Sequence, residues 1–282
     1  MSSRSKGVDS RRLVILEPRR GRLAFDFGEL WSYRELLLFL TWREIRVRYK
    51  QSALGIAWVL IQPLITMVLF TVVFGRLAHL PSDALPYPLF VLSGLLPWQL
   101  FATSLTRSSG SLVQNANLLT KVYFPRLIVP LAAAFAGLVD FAISLVLLVG
   151  VLIYYGVRPG WQILSLPFFA LLALFGAISL GLWLSALNVR YRDIQVGLPF
   201  LIQIWFFATP VAYAASLVGG GISRLLYDLN PMASVVQGFR WSLTGGPAPG
   251  IQLLGSTALL LAVLIGGLIY FRGAEKTFAD VV

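Results

Sequence analysis

The sequence predicts an all-α protein that crosses a membrane several times, and two observations lead to this class. Hydrophobic residues make up 57% of the 282 residues, and charged residues make up only 12%. Five long stretches carry no Lys, Arg, Asp or Glu: residues 51–75, 84–106, 159–189, 194–223 and 241–271. A sixth, 127–157, carries Asp140 alone. A hydrocarbon core needs roughly 20 apolar residues in a helix, so we predict six transmembrane helices.

The chain begins with a polar, Arg-rich arm at residues 1–28, which we expect to be loosely ordered. Residues 29–50 predict an amphipathic helix that lies in the membrane interface. Its apolar residues recur at heptad-like spacing and share one face: Trp31, Leu38, Trp42, Ile45 and Tyr49. Another face carries Arg43, Arg46 and Lys50. Three further leucines, Leu36, Leu37 and Leu40, are expected to pack on the transmembrane helices.

The transmembrane domain is predicted to occupy residues 51–272, and residues 273–282 form the tail. The six spans are expected at residues 54–74, 89–105, 128–154, 164–187, 196–213 and 251–271. The region 214–249 between the last two spans is rich in glycine and proline, and its apolar pieces are too short to cross. We predict two short re-entrant helices there, because backbone that breaks inside a membrane is tolerated only against protein or water.

The positive charges predict the orientation. Nineteen Lys and Arg residues lie in the amino-terminal region, the tail and one set of connections, against four in the other set, Arg76, Arg158, Arg224 and Arg240. Cytoplasmic segments are enriched in these residues, so both termini are placed in the cytoplasm. The same bias explains the net charge of +11 without nucleic acid as a partner.

The composition argues against catalysis by this chain. It contains no cysteine, a single histidine and no G-x-x-x-x-G-K-[ST] pattern for binding nucleotide phosphates. A membrane-embedded sugar transferase would need clustered acidic residues near one face. The predicted outer side supplies only Asp83 and Asp228, with His79. We therefore predict that the chain is not an enzyme and binds no cofactor or metal ion.

Several motifs resemble the transmembrane subunits of ABC-2 type exporters, and more narrowly the permeases for O-antigen, capsule or teichoic-acid chains. The resemblance covers roughly residues 30–282. In chain order, the motifs are RVRYKQSALGIAWVLIQPL, NANLLTKVYFPRLIVPL, LNVRYRDI, LNP and EKTFAD. It implies export of a lipid-linked polysaccharide, most specifically O-antigen, across the inner membrane of a bacterium. An ABC-2 permease for teichoic acid, capsule, lipid or drug, or a sugar transferase, is the alternative.

The resemblance also implies partners and roles for residues. The chain would form a homodimer with two separate ABC ATPase subunits, which bind ATP and Mg, in contact with membrane lipids. Asn115, Lys121 and Tyr123 are candidates for docking the ATPase, as are Arg190, Arg192 and Asp193. The alternatives are an ordinary basic loop for the first set and an ion pair that pins a turn for the second. The amphipathic helix becomes a gating helix with Trp31, Trp42, Arg43, Arg46 and Lys50, and Asn230 with Pro231 belongs to an outer gate.

Asp140 and three aromatic residues are candidates for lining the channel. A lone carboxylate in the middle of a span costs about 2.5–3.5 kcal/mol on insertion scales, so Asp140 should face the protein interior or a wet cavity. It is either a channel-lining or gating group or the partner of a structural hydrogen bond. Sugar rings stack on aromatic rings, which makes Phe70, Trp98 and Phe101 candidates. The competing interpretation is that these rings face lipid.

Overall fold

A computed structural model describes residues 27–50, 55–82, 85–246, 248–275 and 278, and within these residues the fold is helical without strands. Most of the predicted arm at residues 1–28 lies outside the described residues, as do parts of the tail at 273–282. In chain order, the helices are α1 (Phe27–Ser32), α2 (Arg34–Lys50), α3 (Ala57–Phe70), α4 (Tyr87–Gln114), α5 (Ala116–Lys121), α6 (Ile128–Tyr154), α7 (Leu166–Arg190), α8 (Asp193–Ala208), α9 (Ile222–Leu229), α10 (Pro231–Thr244) and α11 (Gln252–Glu275).

In the part of the chain that the structure describes, five helices are long and apolar enough to cross a membrane. They are Ala57–Leu77 (α3 with the π-helical turn Thr71–Leu77), α4, α6, Trp161–Arg190 (α7 with the preceding 3₁₀ turn) and α11. The expectation of an all-helical membrane protein is confirmed. The fifth predicted span, 196–213, appears as the shorter α8 of 16 residues. It ends at Ala208 because Thr209 is extended before Pro210, which disfavours helical backbone in the residue that precedes it.

The central helix of the described fold is α4, against which both α6 and α7 pack. Small residues allow the close approach. A Cβ built at Gly137 of α6 would overlap Ser104, and one at Gly181 of α7 would overlap Ser108. The Ser104 hydroxyl donates a hydrogen bond of 3.0 Å to the carbonyl of Ala134. Membrane helices associate through such packing and interhelical hydrogen bonds, because lipid offers little hydrophobic driving force.

Helix α4 is longer than the predicted span at 89–105. It continues to Gln114, although the sequence places residues 106–127 in a cytoplasmic segment. The extension is buried at Ser108, Ser109 and Ser111, whose small side chains pack against neighbouring helices. A polar sequence therefore continues the helix, since the hydroxyls of Ser109 and Ser111 donate to carbonyls one turn back and Ser108 is small enough to fit the close packing.

The region predicted at 214–249 contains two short helices, α9 and α10. Helix α10 is buried along most of its length and packs against α7 and α4. Gly238 lets α10 approach α7, because a Cβ at this position would overlap the ring of Phe169. The helix ends at Gly245, whose φ of 65° suits a glycine.

Helix α2 packs on α6 through its leucines. Leu40 is buried, and Leu36 and Leu37 are partly buried against the same apolar cluster. This confirms the expectation that these leucines contact the transmembrane helices. The cluster also contains Phe271 of α11 and Phe278 of the tail, whose rings lie 5.3 Å apart.

Candidate functional site

The gating-helix residues divide between two surroundings. Trp31 and Trp42 are exposed, and the guanidinium of Arg46 lies 5.9 Å from the centre of the Trp42 ring. Lys50 is exposed as well. Arg43 instead turns inward, where it donates hydrogen bonds to the side chains of Glu44 and Asn115. Of these five candidates, four therefore lie on the exposed surface of the helix, and Arg43 attaches the helix to the bundle.

Asp140 is not a lone carboxylate, because two arginines and a tyrosine surround it. Arg48 and Tyr49 of α2 donate hydrogen bonds to its two oxygens, and Arg107 of α4 donates to the oxygen that Arg48 also contacts. Burial and the hydrogen bond to Asp140 raise the pKa of Tyr49 to about 12, so the phenol keeps its proton and remains a donor. The carboxylate thereby joins α2, α4 and α6.

The sequence did not predict these partners of Asp140. Arg107 was placed in a cytoplasmic segment, because the apolar stretch before it ends at Thr106. Only the continuation of α4 to Gln114 brings Arg107 beside α6. The sequence did carry one signal for these partners. Arg48 and Tyr49 lie at the end of α2, directly before the first span, so that the Arg48 cation can reach into the membrane region.

A small open cavity of about 50 Å³ lies beside Asp140, between α3, α4 and α6. Its polar lining consists of Arg48, Gln62, Gln99, Thr103, Asp140 and Ser144. Apolar groups of the same helices, including Phe141, complete the wall. Two of the predicted site regions, the gating helix and the intramembrane carboxylate, therefore meet at one polar cavity.

The residues in the first set of coupling candidates also differ in their exposure to solvent. Lys121 ends α5 and is exposed, and Tyr123 is 79% exposed in the extended chain that follows. Asn115 is half-buried and points toward α2 rather than toward solvent. The neighbouring Phe124 is buried in the apolar cluster with Leu119, which fixes α5 on the bundle. The segment thus offers a rigid base with a tyrosine and a lysine on its outer surface.

The second set of coupling candidates, Arg190, Arg192 and Asp193, is exposed in the turn between α7 and α8. Among the described residues, no ion pair joins Asp193 to either arginine, so the ion-pair interpretation of this turn finds no support. Arg190 lies over the ring of Tyr191 at 5.4 Å. Asp193 sits in the first turn of α8, where the helix dipole favours a negative charge.

The three aromatic candidates are mainly buried within the single subunit. Trp98 and Phe101 are buried, and their ring centres lie 6.3 and 5.1 Å from that of Trp205 on α8. Phe70 is half-buried, and its ring centre lies 5.7 Å from that of Phe206. Helix α8 therefore covers all three candidates. The structure brings them together as one aromatic cluster between α3, α4 and α8.

Asn230 and Pro231 start α10, as the turn signal in the sequence indicates. The Asn230 side chain accepts a hydrogen bond of 3.0 Å from the backbone N–H of Met232, and Pro231 occupies the first helical position. The same carboxamide accepts from the Trp205 indole at 2.9 Å and donates to Thr209 at 3.0 Å. It thereby fixes the end of α8 to the start of α10.

One contact that the sequence did not predict attaches the tail to the chain just after the coupling candidates Lys121 and Tyr123. The backbone N–H of Arg126 donates to the carboxylate of Glu275 at 3.2 Å, and its guanidinium donates to the Glu275 carbonyl. The same guanidinium lies 6.0 Å from the centre of the Phe278 ring. The end of α11 is therefore attached next to the chain that follows α5.

Comparisons with known proteins agree with this architecture. The family model described as ABC-2 type transporter matches residues 35–244, from α2 to the end of α10. The O-antigen export system permease protein RfbA of Myxococcus xanthus is 33% identical over 258 residues, 89% of this chain and 97% of that protein. A protein of the same name from Klebsiella pneumoniae is 28% identical, over 93% and 99% of the two chains.

A more distant relative is named for a different substrate. The polysialic acid transport protein KpsM of Escherichia coli is 26% identical over 244 residues, which are 85% of this chain and 92% of that protein. The family match covers well over half of the chain and confirms the resemblance seen in the motifs. The chain therefore belongs to the ABC-2 type transporter family.

Proposed function

We propose that this chain is the permease subunit of an ATP-driven exporter that moves lipid-linked polysaccharide, specifically O-antigen, across the inner membrane of a bacterium. The observation that carries the proposal is the 33% identity to an O-antigen export permease over 97% of that protein. Membership of the ABC-2 family supports a transporter that takes its energy from ATP. The relative named for polysialic acid supports a long glycan as the class of substrate.

Two copies of this chain would work with two ATPase subunits. The absence of a nucleotide-binding pattern from the sequence supports a separate ATPase. The docking surface consists of the exposed Lys121 at the end of α5, the exposed Tyr123 just after it, and the exposed turn around Arg192. ATP binding and hydrolysis on the partner then move these elements, and this chain performs no covalent chemistry.

In the proposed topology the chain crosses six times with both termini in the cytoplasm. Helix α8 rises about 24 Å over its 16 residues, and the extended residues after it complete the fifth crossing. Helices α9 and α10 would dip into the membrane from the outer side and close the channel around Asn230. The distribution of Lys and Arg supports this orientation.

The channel would form along the interface of the two copies. Phe70, Trp98 and Phe101 line it in this proposal, and because α8 covers all three rings, α8 must move away from α4 to expose them. Asp140 would act as a gating group, since it attaches α2 to the bundle beside the polar cavity. The lipid-linked end of the glycan would approach near α2.

The docking surface gives the first test. We expect the double variant Lys121→Glu/Tyr123→Ala to lose association with the ATPase, because it reverses the charge at the end of α5 and removes the exposed ring that follows this helix. Its free energy of unfolding should stay within about 0.5 kcal/mol of that of the unchanged protein, as for most substitutions at exposed positions. The measurement is the amount of ATPase subunit that copurifies, with thermal unfolding on the same preparation.

Tyr154 provides a matched control, because it is 82% exposed at the far end of α6 from the coupling segment. Tyr154→Ala should retain the ATPase in full. Undiminished copurification with the Lys121→Glu/Tyr123→Ala variant would remove α5 from the docking surface.

A further inference from the structure

Asn115 occupies the junction between α4 and α5, and its side chain is turned toward α2. Its backbone, with φ −107° and ψ 23°, interrupts the two helices. The side chain makes no cap on α5. Its amide nitrogen donates to the carbonyl of Ser111 at 2.9 Å, and its oxygen accepts from Arg43. Both functional atoms of this carboxamide are therefore used inside the protein.

Arg43 is the corresponding group on α2. Its guanidinium is held between Asn115 and Glu44, the latter at 2.9 Å. Five residues later, α2 is attached again where Arg48 contacts Asp140. These points lie about 7.5 Å apart along the helix axis. One attaches α2 to the start of α5, and the other attaches it to α6.

An apolar contact accompanies this polar one. Leu40 of α2 and Leu119 of α5 are both buried in the same cluster, together with Phe124. Buried side chains in close packing transmit displacement, since there is little free volume to absorb it. A displacement of α5 therefore disturbs the apolar cluster that also holds Leu40, and it strains the hydrogen bond between Arg43 and Asn115 unless α2 moves as well.

We propose that Arg43 and Asn115 form a joint through which displacement of α5 sets the position of α2. The inference rests on the proposed function, because the ATPase subunit is what displaces α5. Asn115 is then a positioning residue that acts through Arg43, and Lys121 with Tyr123 makes the ATPase contact. Asp140 holds the far end of α2, so that α2 turns about that attachment when α5 moves.

The test uses this chain in complex with its ATPase subunits. Asn115→Ala, Arg43→Ala and the double variant are compared for copurified ATPase, for ATP turnover and for surface polysaccharide in the producing cells. We expect unchanged ATPase binding and turnover, with export per ATP reduced about tenfold, the factor that loss of a hydrogen bond to a charged group produces. The double variant should export no less than the single variants, because both changes remove the same contact.

Two further variants make the result specific. Asn115→Asp keeps an oxygen that accepts from Arg43 and should restore export, whereas a residue that only supports the fold would not respond in this way. Arg158→Ala removes an exposed cation from the connection between α6 and α7, outside the gating and docking elements, and should leave export unchanged.

Three results would overturn the joint: unchanged export per ATP in the single variants, additive losses in the double variant, or loss of bound ATPase from Asn115→Ala. The last would make Asn115 a direct ATPase contact. Failure of the proposed function looks different, since the unmodified chain would then bind no ATPase and support no ATP-dependent export.

Discussion

Replacing Asp140 by alanine is expected to lower the free energy of unfolding by about 3 kcal/mol and to abolish export. The change leaves Arg107, which is largely buried, without its carboxylate, and it also frees Arg48 and Tyr49. Breaking a buried ion pair by removing one partner costs about 3–5 kcal/mol. We expect the lower end, because the Arg48 side chain is 43% exposed and recovers hydration. Thermal or denaturant unfolding of the purified protein measures the effect.

Asp228 offers the matched control for Asp140. Its pair with Arg224 is 3.2 Å long and partly exposed, so Asp228→Ala should cost less than about 1 kcal/mol. The double variant Asp140→Asn/Arg107→Gln removes both buried charges together and should recover much of the lost stability. A stability of Asp140→Ala equal to that of the unchanged protein would show that the three-helix attachment does not hold α2.

Replacing Asn230 by alanine should be nearly as damaging, with an expected loss of about 2–4 kcal/mol. The side chain is buried and has a partner for each of its hydrogen-bonding positions: Met232, Trp205, Thr209 and Ala208. Loss of the helix cap costs about 0.5–2 kcal/mol, and the remainder comes from buried partners left unsatisfied. Since these partners join α8 to α10, hydrogen exchange should increase at the start of α10 and the end of α8.

Gln203 provides the comparison for Asn230, because it carries a carboxamide on the exposed surface of α8. Gln203→Ala should leave stability and exchange unchanged. Export by Asn230→Ala and Gln203→Ala, compared with the stability of each variant, distinguishes a structural role of the carboxamide from a role in gating. If Asn230→Ala unfolds at the temperature of the unchanged protein, the carboxamide does not fasten the outer region.

The membrane class and the position of α6 could be predicted from composition and hydrophobic length alone. The third span was expected at residues 128–154, and α6 occupies Ile128–Tyr154. The apolar run there is bounded by Pro125 and Arg126 on one side and by Gly156 on the other, so length and local breakers agree. Asn230 likewise carries a local signal, since asparagine before proline marks a helix start or turn.

The ends of α4 and α8 required tertiary information. Helix α4 continues through a serine-rich sequence because α6 and α7 bury it, and nothing in residues 106–114 alone reveals that packing. Helix α8 stops before Pro210, although the span was expected to continue to residue 213. A proline is compatible with a kinked helix that continues and with a helix that ends. The extended conformation of Thr209 shows that α8 ends here.

The partners of Asp140 and Asn115 were not visible for the same reason. Both contacts join residues more than 70 positions apart in sequence, through the packing of α2 on the bundle. The amphipathic pattern of α2 predicted an aromatic surface and a basic surface. It did not indicate that Arg43 and Arg48 turn inward while Arg46 and Lys50 remain exposed.

The central claim, a permease that depends on a separate ATPase, is tested most directly in sealed vesicles. This chain is reconstituted with and without its ATPase subunits, lipid-linked O-antigen is supplied on the ATPase side, and its appearance on the opposite side is measured with and without ATP. We expect translocation only when both subunits and ATP are present. Translocation by this chain alone, or at the same rate without ATP, would contradict the account.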